Sequence, residues 1–361
     1  MLLLMVLVGV VLVAGEGTRL RPLTYTLPKP LIPVMGKPLI VRAIENLRDS
    51  GISDFHVVVG HLGFLFRQTL GDGSGLGVRV RYVEQGERLG IAHAIHRAID
   101  EGADGELVVY LGDNYFGEGV GGFVREFREG GYDVYIVLTK HRDPTRFGNA
   151  IVSDGRVVRL IEKPREPPPN SYVVTGIYMF RDPDDVERAF KTLKPSARGE
   201  YEITELIQWF IDNNRRVGYT VTNGWWKDTG TPQDILNLVY LMLDAVGPRI
   251  EGEVRGMVNG RVIIERGAVV EGVVHGPAYV GRGSVVGKDS VIEHYVDVET
   301  NVTINGGTMS RSLILNDAKL ELGRARVVDS IIGPRSTVRL ERGRHTFIIG
   351  EGNVITSTDW A

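Results

Sequence analysis

The sequence of 361 residues contains no cysteine. Disulfide bonds, thiol nucleophiles and thiolate metal ligands are therefore excluded. The absence of cysteine also agrees with a reducing environment, and we expect a cytoplasmic location. The formal net charge of -3 shows no basic excess, although proteins that bind nucleic acids usually carry one. We therefore expect no nucleic-acid partner.

Long apolar runs are also scarce. The most extended one, residues 1–13, is too short to span a bilayer, and no positively charged segment precedes it as in a signal peptide. We interpret residues 8–13 as a buried strand and residues 1–7 as a short extension, with Met5 as an alternative start. No membrane partner is expected.

A glycine-rich loop follows this first strand directly. Gly15-Glu16-Gly17 allows backbone N–H groups to approach an anion, and the cations Arg19, Arg21 and Lys29 follow it. The third glycine of a dinucleotide fingerprint is replaced by Leu20, and the Gly-Lys-Ser/Thr of a Walker loop is absent. The loop suits a phosphate-bearing ligand, and the alternative is a plain tight turn.

Helix and strand patterns alternate through the next hundred residues. The apolar residues Ile40, Ala43, Ile44 and Leu47 have the spacing of one helix face and predict a helix that ends at Gly51. Further strands are predicted at 55–59, 78–83, 106–111, 133–138, 157–162 and 172–180, and further helices at 91–99, 203–211 and 236–243. The alternation predicts an α/β fold with a largely parallel sheet. Ligands of such sheets bind beyond the carboxyl ends of the strands.

A different period begins after Gly247-Pro248. Apolar residues recur every six positions at Val274, Val280, Val286, Ile292, Val298 and Ile304, and a second tract has Ile314, Leu320, Ile332 and Val338 with Arg326 as an exception. A hexapeptide repeat is typical of a left-handed parallel β-helix, here of about four coils. We therefore predict two domains, residues 1–245 and 246–361.

Two aspartates are candidate ligands for a hard cation. Asp113 follows a predicted strand, and Asp228 lies in Trp226-Lys227-Asp228-Thr229-Gly230. Mg²⁺ is commonly held by one or two carboxylates together with phosphate oxygens. Asp-Asn and Asp-Thr-Gly are also good turn sequences, so a structural role is the alternative. Glu162-Lys163-Pro164 offers an acceptor and a cation, which suit a sugar phosphate or an exposed charged turn.

Taken together, these motifs resemble those of the sugar-1-phosphate nucleotidylyltransferases, most closely the long-form glucose-1-phosphate thymidylyltransferases. The segment 15–24 is similar to the family signature Gly-x-Gly-Thr-Arg-Leu, and Pro28-Lys29-Pro30 to its basic motif. Further matches occur in family order at Gln85, Leu89-Gly90, Leu111-Gly112-Asp113-Asn114, Glu162-Lys163-Pro164, Thr175-Gly176 and Trp226-Lys227-Asp228-Thr229-Gly230. Val13 departs from the family's usual alanine.

The resemblance implies a fold and a set of residue roles. The fold is a Rossmann-like mixed-sheet nucleotidyltransferase domain followed by the β-helix. The catalytic residues implied are Arg19, Lys29, Asp113 and Asp228, with Mg²⁺ on Asp113 and Asp228. The nucleotide would be bound by Gly15, Gly17, Thr18, Arg19, Gln85 and Gly90. The sugar phosphate would be bound by Lys29, Asn114, Gly148, Glu162, Lys163, Thr175 and Arg198.

The implied reaction transfers a nucleotidyl group from dTTP to glucose 1-phosphate, giving dTDP-glucose and pyrophosphate. Alternatives are a UTP-dependent enzyme acting on glucose 1-phosphate or N-acetylglucosamine 1-phosphate, and a bifunctional enzyme whose β-helix transfers acetyl groups through His275 or His294. A regulatory subunit with an inactive site would have lost Arg19, Lys29, Asp113 or Asp228, which are all present. We expect a homo-oligomer and a β-helix that the transfer itself does not need. Residues from about 250 onward would mediate the oligomer contacts or dock on the transferase domain and stiffen it.

Overall fold

The computed structural model describes residues 6–357 of the chain. The interpretation of residues 1–5 as part of an extension therefore lies outside the described residues, while Leu7 already belongs to the first strand. The chain contacts separate two compact units. One consists of the residues up to Gly15 together with Ile40–Asp228, and the other of Glu16–Leu39 together with the residues from Thr229 onward.

From residue 39 to about residue 140 helices and strands largely alternate as predicted, and residues 134–180 then form four successive strands. The strands are β1 (Leu7–Leu12), β2 (Pro33–Val34), β3 (Lys37–Pro38), β4 (Asp54–Val59), β5 (Arg79–Glu84), β6 (Glu106–Leu111), β7 (Asn114–Phe116), β8 (Val134–Thr139), β9 (Asn149–Ser153), β10 (Arg156–Ile161), β11 (Tyr172–Phe180), β12 (Val217–Val221) and β13 (Trp226–Asp228). The helices are α1 (Leu39–Arg48), α2 (Gly63–Leu70), α3 (Ile91–Asp100), α4 (Gly121–Gly130), α5 (Pro183–Phe190), α6 (Ile203–Asp212) and α7 (Pro232–Asp244). None of the helices within 6–357 is long and apolar enough to cross a membrane.

The first unit is built on a mixed sheet. Strands β5, β4, β1 and β6 are parallel neighbours, and β11 runs antiparallel to β6 and continues the sheet to β9 and β10. β8 pairs with β11, and β12 extends that branch in parallel. The central strands are apolar along their length because helices cover both faces. The predicted Rossmann-like α/β sheet is thus confirmed, and its parallel strands end towards Gly15 and Asp113.

Three helices of this unit escaped the sequence prediction. α2 and α4 begin at glycines, and α5 begins at Pro183. Glycine is a poor helix former, and a short helix shows few turns of apolar periodicity. Asp182 caps α5 by accepting a hydrogen bond from the N–H of Asp184 at 2.9 Å, as aspartate commonly does at the N-terminus of a helix.

The second unit contains a parallel β-helix. Its strands are β14 (Arg249–Ile250), β15 (Glu253–Val254), β16 (Met257–Asn259), β17 (Val262–Ile264), β18 (Val269–Val270), β19 (Val273–His275), β20 (Ala278–Val280), β21 (Val285–Val286), β22 (Val291–Ile292), β23 (Val296–Val298), β24 (Thr303–Ser310), β25 (Ser312–Ile314), β26 (Lys319–Val328), β27 (Ile331–Ile332), β28 (Thr337–Arg339), β29 (Arg344–His345), β30 (Ile348–Ile349) and β31 (Val354–Thr356). The repeat residues point inward and stack from coil to coil, as Val280 on Val298 and Val286 on Ile304.

The predicted number of about four coils is too low. One face of the β-helix has seven strands, in the order β14-β17-β20-β23-β25-β27-β30. The first and last coils lack the strict apolar spacing, so counting repeats misses them. The exception at Arg326 is a shift of phase, because Val327 takes the inward place opposite Met309. The register shifts at Gly306, whose φ is +73°, where β24 turns a corner.

Residues 16–39 belong to the same compact unit as the β-helix. They form three short 3-10 turns followed by the antiparallel hairpin of β2 and β3. α7 packs on β25, and the Tyr240 hydroxyl donates to the carbonyl of Arg311 at 3.3 Å. The two compact units therefore do not coincide with the predicted domains, residues 1–245 and 246–361. The division into independent domains stays a prediction.

Candidate active site

The glycine loop packs on the basic motif within the second unit. Gly17 has φ +63°, and a Cβ built on it would lie 3.6 Å from the Cβ of Lys29. The Thr24 hydroxyl donates to the carbonyl of Gly17 at 2.8 Å and so fixes the turn. Lys29 is only 8% exposed, which is unusual for lysine outside a functional or paired setting. The predicted phosphate loop and the predicted phosphate-bridging lysine are therefore neighbours.

The two arginines of the loop differ in their surroundings. Arg21 forms an ion pair with Glu16 at 2.9 Å and lies over the ring of Tyr25. Thr18 and Arg19 lie in the 3-10 turn Thr18–Leu20, with both side chains exposed. Arg19, which the resemblance assigns to the nucleotide, is thus exposed, whereas the charge of Arg21 is offset by Glu16.

The candidate metal carboxylates are brought together by a two-stranded sheet in the first unit. In the antiparallel pairing of β7 with β13, Asn114 lies directly opposite Asp228. Cα atoms of such opposed residues are about 4.5–5.5 Å apart, so Asp228 is a neighbour of Asp113, which directly precedes Asn114. β13 thus brings Asp228 beside the Asp113-Asn114 segment at the carboxyl end of β6, and carboxylates are the hard oxygen donors that suit a divalent cation.

Asn114 links these carboxylates to the neighbouring strand. Its side-chain N–H donates to Asp113 Oδ1 at 2.7 Å, and its Oδ1 accepts from the indole N–H of Trp226 at 2.7 Å. A Cβ on Gly176 would lie 2.3 Å from Asn114 Cγ, so only glycine fits beside this amide. Asn114, assigned by resemblance to the sugar phosphate, therefore lies between the aspartates and Thr175-Gly176.

Gln85 and Gly90 meet at the start of α3. The side-chain N–H of Gln85 donates to the carbonyl of Gly90 at 3.0 Å. Gly90 has φ +99°, and a Cβ there would lie 2.6 Å from the carbonyl of Tyr201. The position therefore requires glycine for both its conformation and its close packing. The two residues assigned to the base form one structural element.

The predicted sugar-phosphate residues form a polar cluster around Glu162. The guanidinium of Arg198 donates to Glu162 Oε1 at 3.1 Å, and Lys163 Nζ lies 3.3 Å from the same oxygen. A Cβ on Gly148 would lie 3.4 Å from Glu162 Oε2. The buried Thr175 hydroxyl donates to the carbonyl of Val137 at 2.7 Å, and the preceding Val174 N–H donates to the carbonyl of Gly148 at 2.8 Å.

Two pKa shifts report the negative charge of this region. Burial raises the pKa of the Glu205 carboxyl, and the charges of Glu202 and Glu162 raise it further. Burial also raises the pKa of the Tyr178 phenol, with added contributions from Glu162 and Asp113. Both shifts have burial as their largest cause, and the carboxylates of Glu162, Glu202 and Asp113 add to it.

Sequence reasoning missed Glu202 and Thr204 as supporting residues, and it named Trp226 within a motif without giving it a role. The buried Glu202 accepts two hydrogen bonds of 2.7 Å from Arg198, and the Thr204 hydroxyl donates to Glu162 at 3.1 Å. Trp226 orients Asn114. Glu202 and Thr204 flank the start of α6, where a polar residue usually suggests a helix cap. Their sequence context alone therefore does not separate support of a site from capping.

The histidines proposed for the acetyltransferase alternative lie in adjacent coils of the β-helix. The ring centroids of His275 and His294 are 6.4 Å apart. His294 Nδ1–H donates to the carbonyl of Gly276 at 2.6 Å, which directs that nitrogen to the backbone. His275 Nδ1 lies 3.5 Å from the side-chain amide of Asn259.

The mixed sheet, the glycine loop after its first strand and the carboxylates beyond the strand ends define a nucleotide-binding α/β protein. A family model for nucleotidyl transferases matches residues 8–244, and the chain belongs to the nucleotidyl transferase family. The match ends at the last residue of α7, before the β-helix begins.

Full-length relatives extend the similarity into the β-helix. The chain is 37% identical over 351 residues to the glucose-1-phosphate thymidylyltransferase of Streptomyces antibioticus, an alignment that covers 95% of this chain and 97% of that protein. It is 38% identical over 356 residues to the low-salt glycan biosynthesis nucleotidyltransferase Agl11 of Haloferax volcanii, with 96% and 98% covered. A crystal structure from Bacillus anthracis described as a glucose-1-phosphate thymidylyltransferase superposes with a TM-score of 0.59 and 36% identity, covering 64% of this chain and 93% of the other.

Proposed function

We propose that this protein transfers a thymidylyl group from dTTP to glucose 1-phosphate, which yields dTDP-glucose and pyrophosphate. The observation that carries the proposal is the similarity to the Streptomyces antibioticus thymidylyltransferase along 95% of the chain. The neighbouring Asp113 and Asp228, and the packing of Gly17 on Lys29, support it from the geometry.

The chain's residues would act mainly by alignment. An oxygen of the sugar phosphate is already ionised at neutral pH, so it can form the new bond to the α-phosphorus without a protein nucleophile. The bond to pyrophosphate breaks on the opposite side. Backbone N–H groups of Gly15 and Gly17, with Thr18 and Arg19, would bind the triphosphate, and Lys29 would offset the charge of both substrates. Holding two anions in line in this way accounts for a large part of the rate in such transfers.

Asp113 and Asp228 would hold the divalent metal that this family generally uses, which we propose is Mg²⁺. Their adjacency and the hard oxygen donors they offer fit that ion. When bound, Mg²⁺ offsets negative charge on the phosphates and stabilises charge that develops during transfer. Asn114 would orient the Asp113 carboxylate through its 2.7 Å hydrogen bond.

Gln85 and the backbone of Gly90 would recognise the pyrimidine. Gly148, Glu162, Lys163, Thr175, Arg198 and Asn114 would bind the sugar phosphate. The cluster around Glu162 offers a carboxylate to accept from sugar hydroxyls and two cations for the phosphate.

The test is a matrix of nucleoside triphosphates against sugar 1-phosphates, scored by pyrophosphate release with and without chelator. We expect dTTP with glucose 1-phosphate to be the preferred pair and chelator to stop turnover. UTP is the competing nucleotide, because one hydrophobic methyl contact discriminates by only ~10–200-fold. A preference for ATP or GTP would contradict the assignment of the base site. Full activity in excess chelator would contradict the metal assignment.

Two further expectations remain proposals. Self-association of the full chain is measured by light scattering. Acetyl transfer by the β-helix is measured by consumption of acetyl-CoA in the presence of a sugar-1-phosphate acceptor. Neither measurement bears on nucleotidyl transfer itself, so each can fail on its own.

A further inference from the structure

A tight hairpin follows the basic motif. β2 and β3 are joined by Met35 and Gly36, whose φ values are +49° and +77°. Positive φ at both central residues is the pattern of a type I′ turn, which matches the twist of two antiparallel strands. Lys29 leads into this hairpin through a 3-10 turn, in which the N–H of Ile32 donates to the carbonyl of Lys29 at 3.1 Å.

Two buried carboxylates of the β-helix bind the tip of this hairpin. The N–H of Met35 donates to Asp297 Oδ2 at 2.7 Å, and the N–H of Gly36 donates to Glu299 Oε1 and Oε2 at 3.0 and 3.2 Å. Asp297 is 0% exposed and Glu299 1% exposed. Each of the two N–H groups of the turn therefore has its own carboxylate acceptor.

Asp297 is an acid among stacked outward-facing residues that are apolar or aromatic. Asp297 stacks between Tyr279 on one coil and Leu313 on the next, and Leu313 stacks on Ile331. These neighbours are apolar or aromatic and buried. Burial of a carboxylate is costly unless it is well hydrogen-bonded. An apolar residue would pack this position, so the acid indicates a role in binding the hairpin.

Other contacts anchor the same segment. A Cβ on Gly36 would lie 2.4 Å from the Tyr279 hydroxyl oxygen, so the turn sits tightly against that ring. Nearer to the glycine loop, a Cβ on Gly350 would lie 3.0 Å from the carbonyl oxygen of Pro22. The β-helix therefore contacts the segment before and after Lys29.

We propose that Asp297 and Glu299 are positioning residues for nucleotidyl transfer, which act through the Met35–Gly36 turn to hold Lys29. This inference rests on the proposed function. It also replaces the expectation that the transfer does not need residues 246–361, since two residues of that part set the place of a phosphate-binding lysine. Displacement of a substrate-positioning group by about 1 Å can cost ~100-fold in rate.

A pair of variants at Glu299 separates hydrogen bonding from packing. Glu299→Gln keeps an oxygen that accepts from the Gly36 N–H, whereas Glu299→Leu has a similar size and no acceptor. We expect kcat/KM for pyrophosphate release to fall about 10-fold or more in Glu299→Leu and to stay within about threefold in Glu299→Gln. Equal activity of both variants and wild type, or an equal loss in both, would overturn the proposal.

A double-mutant cycle with Lys29→Ala shows whether Glu299 acts through the lysine. In the Lys29→Ala background, Glu299→Leu should cost less than a third of its effect in wild type, because interacting positions are not additive. Full additivity would overturn the proposal. Ile331→Ala, a buried substitution two coils beyond Asp297, is the control for destabilisation and should lower the melting temperature without a coupled effect on Lys29.

The same junction can be perturbed from the hairpin if Glu299→Leu does not fold. Gly36→Ala places a methyl group against the Tyr279 hydroxyl, and Tyr279→Phe removes that oxygen. We expect kcat/KM to fall in Gly36→Ala and to recover in part in the double variant. A folded Gly36→Ala protein with wild-type kcat/KM would overturn the inference. If wild type itself releases no pyrophosphate with any substrate pair, the proposed function fails instead.

Discussion

Asp228 lies directly opposite Asn114 in the short ladder between β7 and β13, one residue away from Asp113. The two aspartates are more than a hundred residues apart in the sequence, and the ladder makes them neighbours. Trp226 belongs to the same strand and donates to Asn114 Oδ1. The geometry of the candidate metal site therefore depends on β13 as well as on the end of β6.

Replacing either aspartate by asparagine should remove most of the turnover. Asparagine keeps the size of the side chain but loses the charge that a divalent cation needs. We expect Asp113→Asn and Asp228→Asn each to lower kcat by about a hundredfold or more, equivalent to several kcal/mol of transition-state stabilisation. Pyrophosphate release and circular dichroism measure activity and fold on the same sample.

Asp154→Asn is the matched control for these variants. Asp154 lies in an exposed turn between β9 and β10 with φ +51°, a conformation that asparagine also adopts readily. Its activity should equal that of wild type. A folded Asp113 or Asp228 variant within threefold of wild type would show that the aspartate is a turn residue only.

A methyl group at Gly176 should disturb the same site from the neighbouring strand. In Gly176→Ala the Cβ would lie 2.3 Å from Asn114 Cγ, so the amide that donates to Asp113 must move. We expect a loss of activity of about tenfold or more, since positioning errors of this size are costly. Wild-type kcat/KM in a folded Gly176→Ala protein would show that the Asn114 amide does not position Asp113.

Gly122→Ala is the control for this glycine. It lies in α4, and among the residues that the structure describes no atom beyond its chain neighbours and the nearby backbone of its own helix lies within 4 Å of its added Cβ. Alanine favours a helix by up to about 1 kcal/mol over glycine. The control should keep full activity and gain slightly in melting temperature.

Much of the fold was predictable because it depends on short-range patterns. The helical stripe of Ile40 and Leu47, the strand Tyr172–Phe180 and the six-residue repeat of the β-helix each depend on periodicity in a short window. Errors arose where that signal weakens. The end coils lack strict repeats. The register between β24 and β26 shifts around Gly306, so the inward position falls on Val327 instead of Arg326.

The candidate site was predictable as a set of residue types but not as a set of contacts. Short motifs pointed to Asp113, Lys29 and Glu162, because glycine loops and acids at strand ends have local signatures. The partners Asp297 and Glu299 lie more than 260 residues beyond the turn that they bind. No local pattern marks such a pair, since within a repeat they read as ordinary outward-facing acids.

Lys29→Ala should weaken substrate binding and slow the transfer together. Lys29 is packed against Gly17 and largely buried, so its charge would act on phosphates before and during the reaction. We expect KM to rise and kcat to fall, in contrast to the aspartate variants, where kcat falls most. Steady-state kinetics on both substrates measures the two constants.

Lys29→Arg is the conservative comparison. Arginine keeps the charge but differs in size and in the geometry of its donors. Partial recovery of KM with a lower kcat would fit a lysine that bridges phosphates. Equal constants in Lys29→Ala and wild type would contradict that role.

Stability should decrease on acidification because of His56, a histidine of the central sheet. His56 is 1% exposed, and it pairs with Val10 on one side and Arg81 on the other. Burial lowers the pKa of the imidazole, and the charge of Arg81 lowers it further. The charge of Asp54 opposes that shift, and the charge of Arg79 adds to it.

The sign of the effect follows from proton uptake. The imidazole in the unfolded chain takes up a proton near its ordinary pKa of about 6.5, whereas in the folded protein the proton binds only at lower pH. Between the unfolded pKa and the lower folded pKa the unfolded state holds more protons than the folded state. The free energy of unfolding therefore falls with decreasing pH in this range, by at most about 1.4 kcal/mol per pH unit for one proton. His56 therefore stabilises the fold above its unfolded pKa, and this contribution is lost between that value and the lower folded one.

The measurement is urea unfolding at several values of pH from 7.5 to 5 for wild type, His56→Leu and His61→Gln. His56→Leu should show a shallower fall on acidification, since leucine binds no proton and also suits a buried strand. His61 is exposed in the turn after β4, so its variant should follow the wild-type curve and serve as the control. Parallel curves for wild type and His56→Leu would show that another group causes the acid sensitivity. A steeper fall in the variant would reverse the sign assigned to His56.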